Sequence, residues 1–152
     1  IKFLGDTDEQ IIEPLREALA GVFKDQRAIP IPLERLGAFP SLRAPRVLWV
    51  GAVERWEQGE EAKRLAEWHA AVEACCDSLG FAPDSRPLSP HLTLARIKAG
   101  GREFGQVLAS SKTLDRPLSL GALAVESIAL MKSDLRPTGS VYTKLWQVRL
   151  TG

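Results

Sequence analysis

Apolar positions along the chain fall into helical and extended periods that can be read in order. Between residues 60 and 79, Leu65, Trp68, Val72, Cys75, Cys76 and Leu79 recur at spacings of three and four, and Gly80 follows as a C-terminal stop. This predicts a long amphipathic helix. A shorter helix reaches about Val22 with Ile11, Ile12, Leu15, Leu19 and Val22 on its apolar side, and Thr7 with Gln10 resembles a capping box at its start. Pro14 inside that stretch must kink the helix or begin a second one. Ahead of it, Ile1-Lys2-Phe3-Leu4 reads as the second half of a strand.

Extended segments show a different rhythm. Residues 28–36 alternate Ile29, Ile31 and Leu33 with Pro30 and Pro32, which suits an edge strand, and Gly37-Ala38-Phe39-Pro40 then turns the chain. Residues 46–53, rich in Val, Leu and Trp, predict a strand that ends at the acidic run Glu54, Glu57, Glu60 and Glu61, itself suited to a solvated helix start. A proline-containing loop covers residues 82–90. After a Gly100-Gly101 break come a short helix at 103–110 and two last strands at about 122–131 and 141–150. Strands and helices mix without regular βαβ alternation, so the expected class is α+β with mainly antiparallel pairing.

One strand carries chemistry. Ser89-Pro90-His91-Leu92-Thr93-Leu94-Ala95-Arg96 places a histidine and a threonine two residues apart, and alternation along a strand turns His91 and Thr93 to one face and Leu92 and Leu94 to the other. The leucines are expected to anchor the strand in a core, leaving an imidazole and a hydroxyl side by side to hold a phosphate and move a proton. Strict alternation puts Arg96 on the leucine face. It reaches the His91 face only through a bulge, a twist or the strand's end.

Composition narrows the function classes. The chain has 152 residues, 45% of them hydrophobic, and is expected to form a single domain. Twenty Lys and Arg against nineteen Asp and Glu leave a net charge of +1, so no global basic field supports sequence-independent nucleic-acid binding; any nucleic acid is held locally. No apolar run approaches the ~20 residues that span a bilayer, and the first residues lack a signal-peptide layout. A cytoplasmic protein with no membrane partner is expected. Cys75 and Cys76 are helical neighbours and are read as reduced. Trp49, Trp56, Trp68 and Trp146 are read as packing residues. No Gly-rich phosphate loop, metal-ligand spacing or serine elbow is present.

The run Arg86-Pro87-Leu88-Ser89-Pro90-His91-Leu92-Thr93-Leu94-Ala95-Arg96 resembles the second signature motif of the two-histidine phosphoesterases. Within them it is most similar to the RNA 2′,3′-cyclic phosphodiesterases, also called 2′-5′ RNA ligases. Lys2-Phe3-Leu4-Gly5-Asp6 resembles the tail of the first motif; Gly37-Ala38-Phe39-Pro40 and residues 45–51 resemble the middle, and residues 133–142 the C-terminal segment. The first His-x-Thr itself is missing. The resemblance puts its histidine three residues ahead of Ile1, so the 152 residues are expected to be one N-terminally incomplete domain. His69, in the long helix, cannot replace it.

The resemblance implies two small antiparallel lobes with flanking helices and a central cleft, and metal-independent hydrolysis of RNA 2′,3′-cyclic ends to 2′-phosphates, with reversible 2′-5′ ligation as a second activity. Such hydrolysis needs a base on water and an acid on the leaving ribose oxygen, and imidazoles, with an ordinary pKa of about 6.5, serve either role. His91 is expected to be the base, Thr93 a hydrogen-bond donor to phosphate, and Arg96 the cation that neutralises growing charge. No cofactor is implied. Phe39 either stacks on a nucleobase or fills the core beside Pro40, and Tyr142 is a weaker stacking candidate. The partners implied are RNA ends or nucleoside 2′,3′-cyclic phosphates, met by a monomer. Two rivals stay open: a non-catalytic nucleotide- or RNA-binding module, and a phosphoesterase for small cyclic nucleotides.

Overall fold

The computed structural model describes residues 1–151. In chain order the elements are α1 (Ile12–Phe23), β1 (Ile29–Pro32), β2 (Arg35–Phe39), β3 (Val47–Gly51), α2 (Glu54–Glu57), α3 (Glu60–Ser78), β4 (His91–Arg96), α4 (Gly101–Ser110), β5 (Ala122–Val125), β6 (Ser127–Arg136) and β7 (Gly139–Arg149). The fold is α+β. β2-β3-β4 and β6-β7 are antiparallel sheets, and β1 and β5 make a two-stranded one. The chain divides into two compact units: the first holds Ile1–Ile29, Arg64–Leu88 and the chain from Ala124 onward, the second Pro30–Lys63 and Ser89–Leu123.

The first unit is built on the two helices whose periodicity is strongest. Leu15, Leu19 and Phe23 of α1 and Leu65, Trp68, Val72 and Cys76 of α3 are buried, with Phe23 set edge-on to Trp68 at 5.7 Å. The Trp68 indole N–H donates to Gln26 Oε1 at 3.0 Å, which satisfies its polar end inside that core. α3 ends where Gly80 turns to φ +86°, and Phe81 N–H closes back onto the Cys76 carbonyl, so the stop expected at Gly80 is a left-handed cap. The helix before α1 is capped differently from expectation. Asp8, not Thr7, accepts from Gln10 N–H, because a 3₁₀ turn at Glu9–Ile11 precedes α1. Pro14 then falls in the first turn of α1, where its missing N–H costs nothing and no kink is required.

Residues 1–4 are not a strand. Lys2 is instead drawn inward: its side chain is 4% exposed and its ammonium donates to Glu73 Oε2 at 2.6 Å and to the Ala82 carbonyl at 2.9 Å. Glu73 also accepts from Asp84 N–H, so one carboxylate ties the chain start and the loop after α3 to the helix. The Lys2 hydrogen bond, opposed by burial and reinforced by Asp84 N–H, holds the Glu73 carboxyl below its ordinary value of 4.5. A lowered folded pKa contributes stability that is fully present above the unfolded value and lost as pH falls through the folded one. Glu73→Ala leaves the buried Lys2 ammonium with the Ala82 carbonyl but no opposite charge, and is expected to cost about 3 kcal/mol in urea unfolding at neutral pH. The variant's stability should also depend less on pH below about 4.5, since this carboxyl no longer titrates.

Two expected segments end elsewhere. Gly37-Ala38-Phe39 belongs to β2, and the turn follows it at Pro40. The strand expected at 122–131 is two strands, β5 and β6, and the polar stretch 132–140 is not a loop: β6 and β7 pair out to Arg136 opposite Gly139. Gly139, at φ +127°, supplies a backbone conformation that other residues resist. Both cysteines are free, Cys76 buried and Cys75 half-buried. Among the described residues no helix is long and apolar enough to cross a membrane.

Candidate active site

The three-stranded sheet of the second unit sets up the site through its register. Along β3, Val47, Trp49 and Gly51 point to one face, and across β2 they meet Phe39, Gly37 and Arg35. On the other side Gly51 faces His91 and Trp49 faces Thr93, but Leu48 faces Ala95 and Val47 faces Arg96. Leu94 is therefore an extra residue, a bulge between Thr93 and Ala95. It reverses the alternation. His91, Thr93 and Arg96 consequently share one face with Arg35, Phe39 and Trp49, so the bulge brings Arg96 to the side that strict alternation denies it.

His91 sits at the start of β4, exposed, with its orientation set on one side by a hydrogen bond between Nδ1 and the Ser89 carbonyl at 2.7 Å. A carbonyl only accepts, so Nδ1 carries the proton and Nε2 of the neutral ring offers its lone pair. Phe39 meets the imidazole edge-on, 5.0 Å away at 76°, and the Trp49 indole lies at 5.9 Å. Thr93 and Arg96 are exposed, and neither makes a side-chain hydrogen bond or ion pair among the described residues. Both are free to meet an anion. An imidazole acceptor, a hydroxyl donor and a guanidinium on one face can bind a phosphodiester and take a proton from a nucleophile.

Sequence reasoning missed the floor beneath these groups. Trp49, read as a packing residue, is half-buried on the same face, 5.4 Å from Phe39 and under the Arg35 guanidinium at 5.6 Å. It lies flat because glycines flank it: a Cβ on Gly37 would stand 2.1 Å from the indole Cζ2, and one on Gly51 3.3 Å from Cζ3. A signal was present, since Arg35-x-Gly37-x-Phe39 and Trp49-x-Gly51 place two glycines around one indole once the strands pair. Arg35 pairs with Glu57, while Arg35 Nε and Trp49 Nε1 are buried without a hydrogen-bond partner among the described residues. Each such orphan costs about 1–3 kcal/mol.

The remaining expectations fall elsewhere. Leu92 and Leu94 do not anchor a core; they are 43% and 48% exposed, because alternation fixes a side chain's face and not what covers that face. Tyr142 is in the first unit, on β7 opposite Ser133 and 66% exposed. His69 is on α3 of the first unit, 3.8 Å from Glu73 Oε1. Among the described residues no three His, Cys, Asp or Glu side chains cluster as metal ligands.

Comparison with known proteins adds a second line of observation. The family model described as LigT like Phosphoesterase matches residues 1–49 and 57–142. The chain is 33% identical over 149 residues to an RNA 2′,3′-cyclic phosphodiesterase of Aeropyrum pernix, covering 98% of this chain and 79% of that protein. With the Aquifex aeolicus protein of the same name it shares 32% over 155 residues, 100% of this chain and 77% of that one. Among solved structures, TT0787 of Thermus thermophilus superposes with a TM-score of 0.68 at 28% identity, over 99% of this chain and 75% of that chain. Escherichia coli LigT complexed with 3′-AMP gives 0.67 at 23% identity, over the same shares, and speaks for the fold alone.

Proposed function

The chain belongs to the LigT-like phosphoesterase family, and from that premise we propose that it serves the hydrolysis of RNA 2′,3′-cyclic phosphodiester ends to 2′-phosphomonoesters, with His91, Thr93 and Arg96 as the phosphate-handling group. The observation that carries this reading is the bulge at Leu94, which aligns those three side chains on one face. Relatives about one-third identical over nearly the whole chain carry the name RNA 2′,3′-cyclic phosphodiesterase, which supports the substrate class.

Each group has a role that its chemistry allows. Water attacks phosphorus while His91 Nε2 takes one of its protons, the bond from phosphorus to the 3′ oxygen breaks, and that oxygen leaves with a proton from an acid on the far side. Ser89 carbonyl holds Nδ1 so that Nε2 is the basic nitrogen. Thr93 donates its hydroxyl to a non-bridging oxygen, and Arg96 neutralises the charge that grows there. The family resemblance assigns the acid to the histidine of a first His-x-Thr motif, outside these 152 residues. In the ligation direction acid and base exchange roles. Phe39 lines the same face, while Tyr142 is proposed as a stacking contact for RNA from its exposed place on β7.

The test is hydrolysis of a nucleoside 2′,3′-cyclic phosphate, and of an oligoribonucleotide with that end, by this chain and by a chain extended upstream through the expected first motif. With EDTA present, the extended chain should release the 2′-phosphate and not the 3′-phosphate, as resolved by ³¹P NMR, and the shorter chain should be slower by the contribution of one acid, roughly 10²–10⁴-fold. Absence of turnover on both substrates, with binding of the 2′-phosphate retained, would replace this reading with the non-catalytic binding module.

A further inference from the structure

A tryptophan with its indole N–H buried and unsatisfied is a costly way to fill space in a small sheet. The same strands also give up side chains at two positions for it, because Gly37 and Gly51 both run beneath the ring and a Cβ at the first would penetrate it. Phenylalanine or leucine at position 49 would fill much of that volume without the orphaned N–H. The features peculiar to tryptophan here are its breadth and what that breadth touches: Phe39 at 5.4 Å, the Arg35 guanidinium at 5.6 Å and the His91 ring at 5.9 Å.

His91 needs such support. It begins an exposed strand, and its hydrogen bond is made through Nδ1 to Ser89, two residues away in the same segment. One bond at one nitrogen leaves the imidazole plane free to swing about that contact. Phe39 on the imidazole edge, itself tilted only 32° from the indole plane, and the indole at a second edge close off that swing. We infer that Trp49, seated flat on Gly37 and Gly51 and backed by Phe39, is the positioning residue that fixes the His91 ring plane and so aims Nε2 at the phosphate held by Thr93 and Arg96. This deepens the hydrolytic reading and rests on it for its kinetic consequence, though the seat of the imidazole can be observed without turnover.

The experiment compares Trp49→Phe and Trp49→Leu with the parent chain, extended as above. Phenylalanine removes the orphaned N–H and should leave the melting temperature within a few degrees. Positioning predicts a fall in kcat of roughly 10- to 100-fold with KM changed by less than threefold, larger for leucine than for phenylalanine, since misaiming a reacting group raises the barrier and leaves phosphate binding alone. Removing the indole alters the ring-current shift at His91 in any case, so the second readout is the set of NOEs between the His91 ring protons and the Phe39 ring, which should weaken as the imidazole swings. Gly37→Ala reaches the same point without altering Trp49, because the new Cβ must displace the ring, and should weaken the His91–Phe39 NOEs in the same way. Unchanged His91–Phe39 NOEs or an unchanged kcat in Trp49→Phe would overturn the inference while the hydrolytic reading stood. A parent chain without turnover would sink the hydrolytic reading, and the His91–Phe39 NOEs would still decide whether Trp49 seats the ring.

Discussion

Changing His91 to alanine is expected to lower kcat on a 2′,3′-cyclic phosphate by roughly 10²–10⁴-fold, the usual share of one general base. The loss should fall on kcat rather than KM. Thr93 and Arg96 lie on the same face and are the proposed phosphate contacts, and neither depends on the imidazole through a hydrogen bond among the described residues. Folding should hardly respond, because His91 is exposed and its removal forfeits edge contacts with Phe39 and Trp49 worth about 1 kcal/mol. A second substitution separates orientation from chemistry. His91→Asn can keep an N–H directed at the Ser89 carbonyl but cannot take a proton, so it should be as slow as alanine. Turnover within tenfold of the parent in either variant, measured at saturating substrate, would remove His91 from the base role.

What could be read from the sequence divides along a physical line. α3 was legible because its stripe of Leu65, Trp68, Val72 and Cys76 repeats every three to four residues and all four are buried, so one element's own pattern carries the answer. His91 and Thr93 were legible for the same reason, since a period of two needs no partner strand to be recognised. Arg96 was expected from the family resemblance but not legible from alternation, because a bulge belongs to a pair of strands: Leu94 is supernumerary only once β3 fixes the register at Leu48 and Trp49. What Trp49 packs against was hidden for a related cause. An apolar strand announces that it is covered but not by what, and the indole's neighbours come from three strands. The outer part of the β6-β7 hairpin, between the strands expected at 122–131 and 141–150, was not legible because its residues are polar, although only Pro137 and Thr138 lie between the paired strands.

Arg96→Ala should lower kcat/KM by roughly 10²–10³-fold, the effect of removing one preorganised charge partner from a developing oxyanion. A loss alone would not locate the guanidinium, since any basic side chain near an RNA substrate aids binding through its charge. The register supplies the control. Ala95 stands opposite Leu48 and Arg96 opposite Val47, so neighbouring positions on β4 look to opposite faces. Moving the arginine one place, as Ala95→Arg with Arg96→Ala, conserves net charge and keeps the cation within about 4 Å of chain displacement, yet turns it away from His91 and Thr93. That double variant should stay as slow as Arg96→Ala. Both positions are exposed on an edge strand, so neither change should unfold the sheet by more than about 1 kcal/mol. Recovery of most of the activity would mean that the charge acts at a distance and that the bulge at Leu94 has no part in catalysis. Continued loss would tie the reaction to one face of β4, because the extra residue at Leu94 decides which of the two neighbouring positions shares that face with His91 and Thr93.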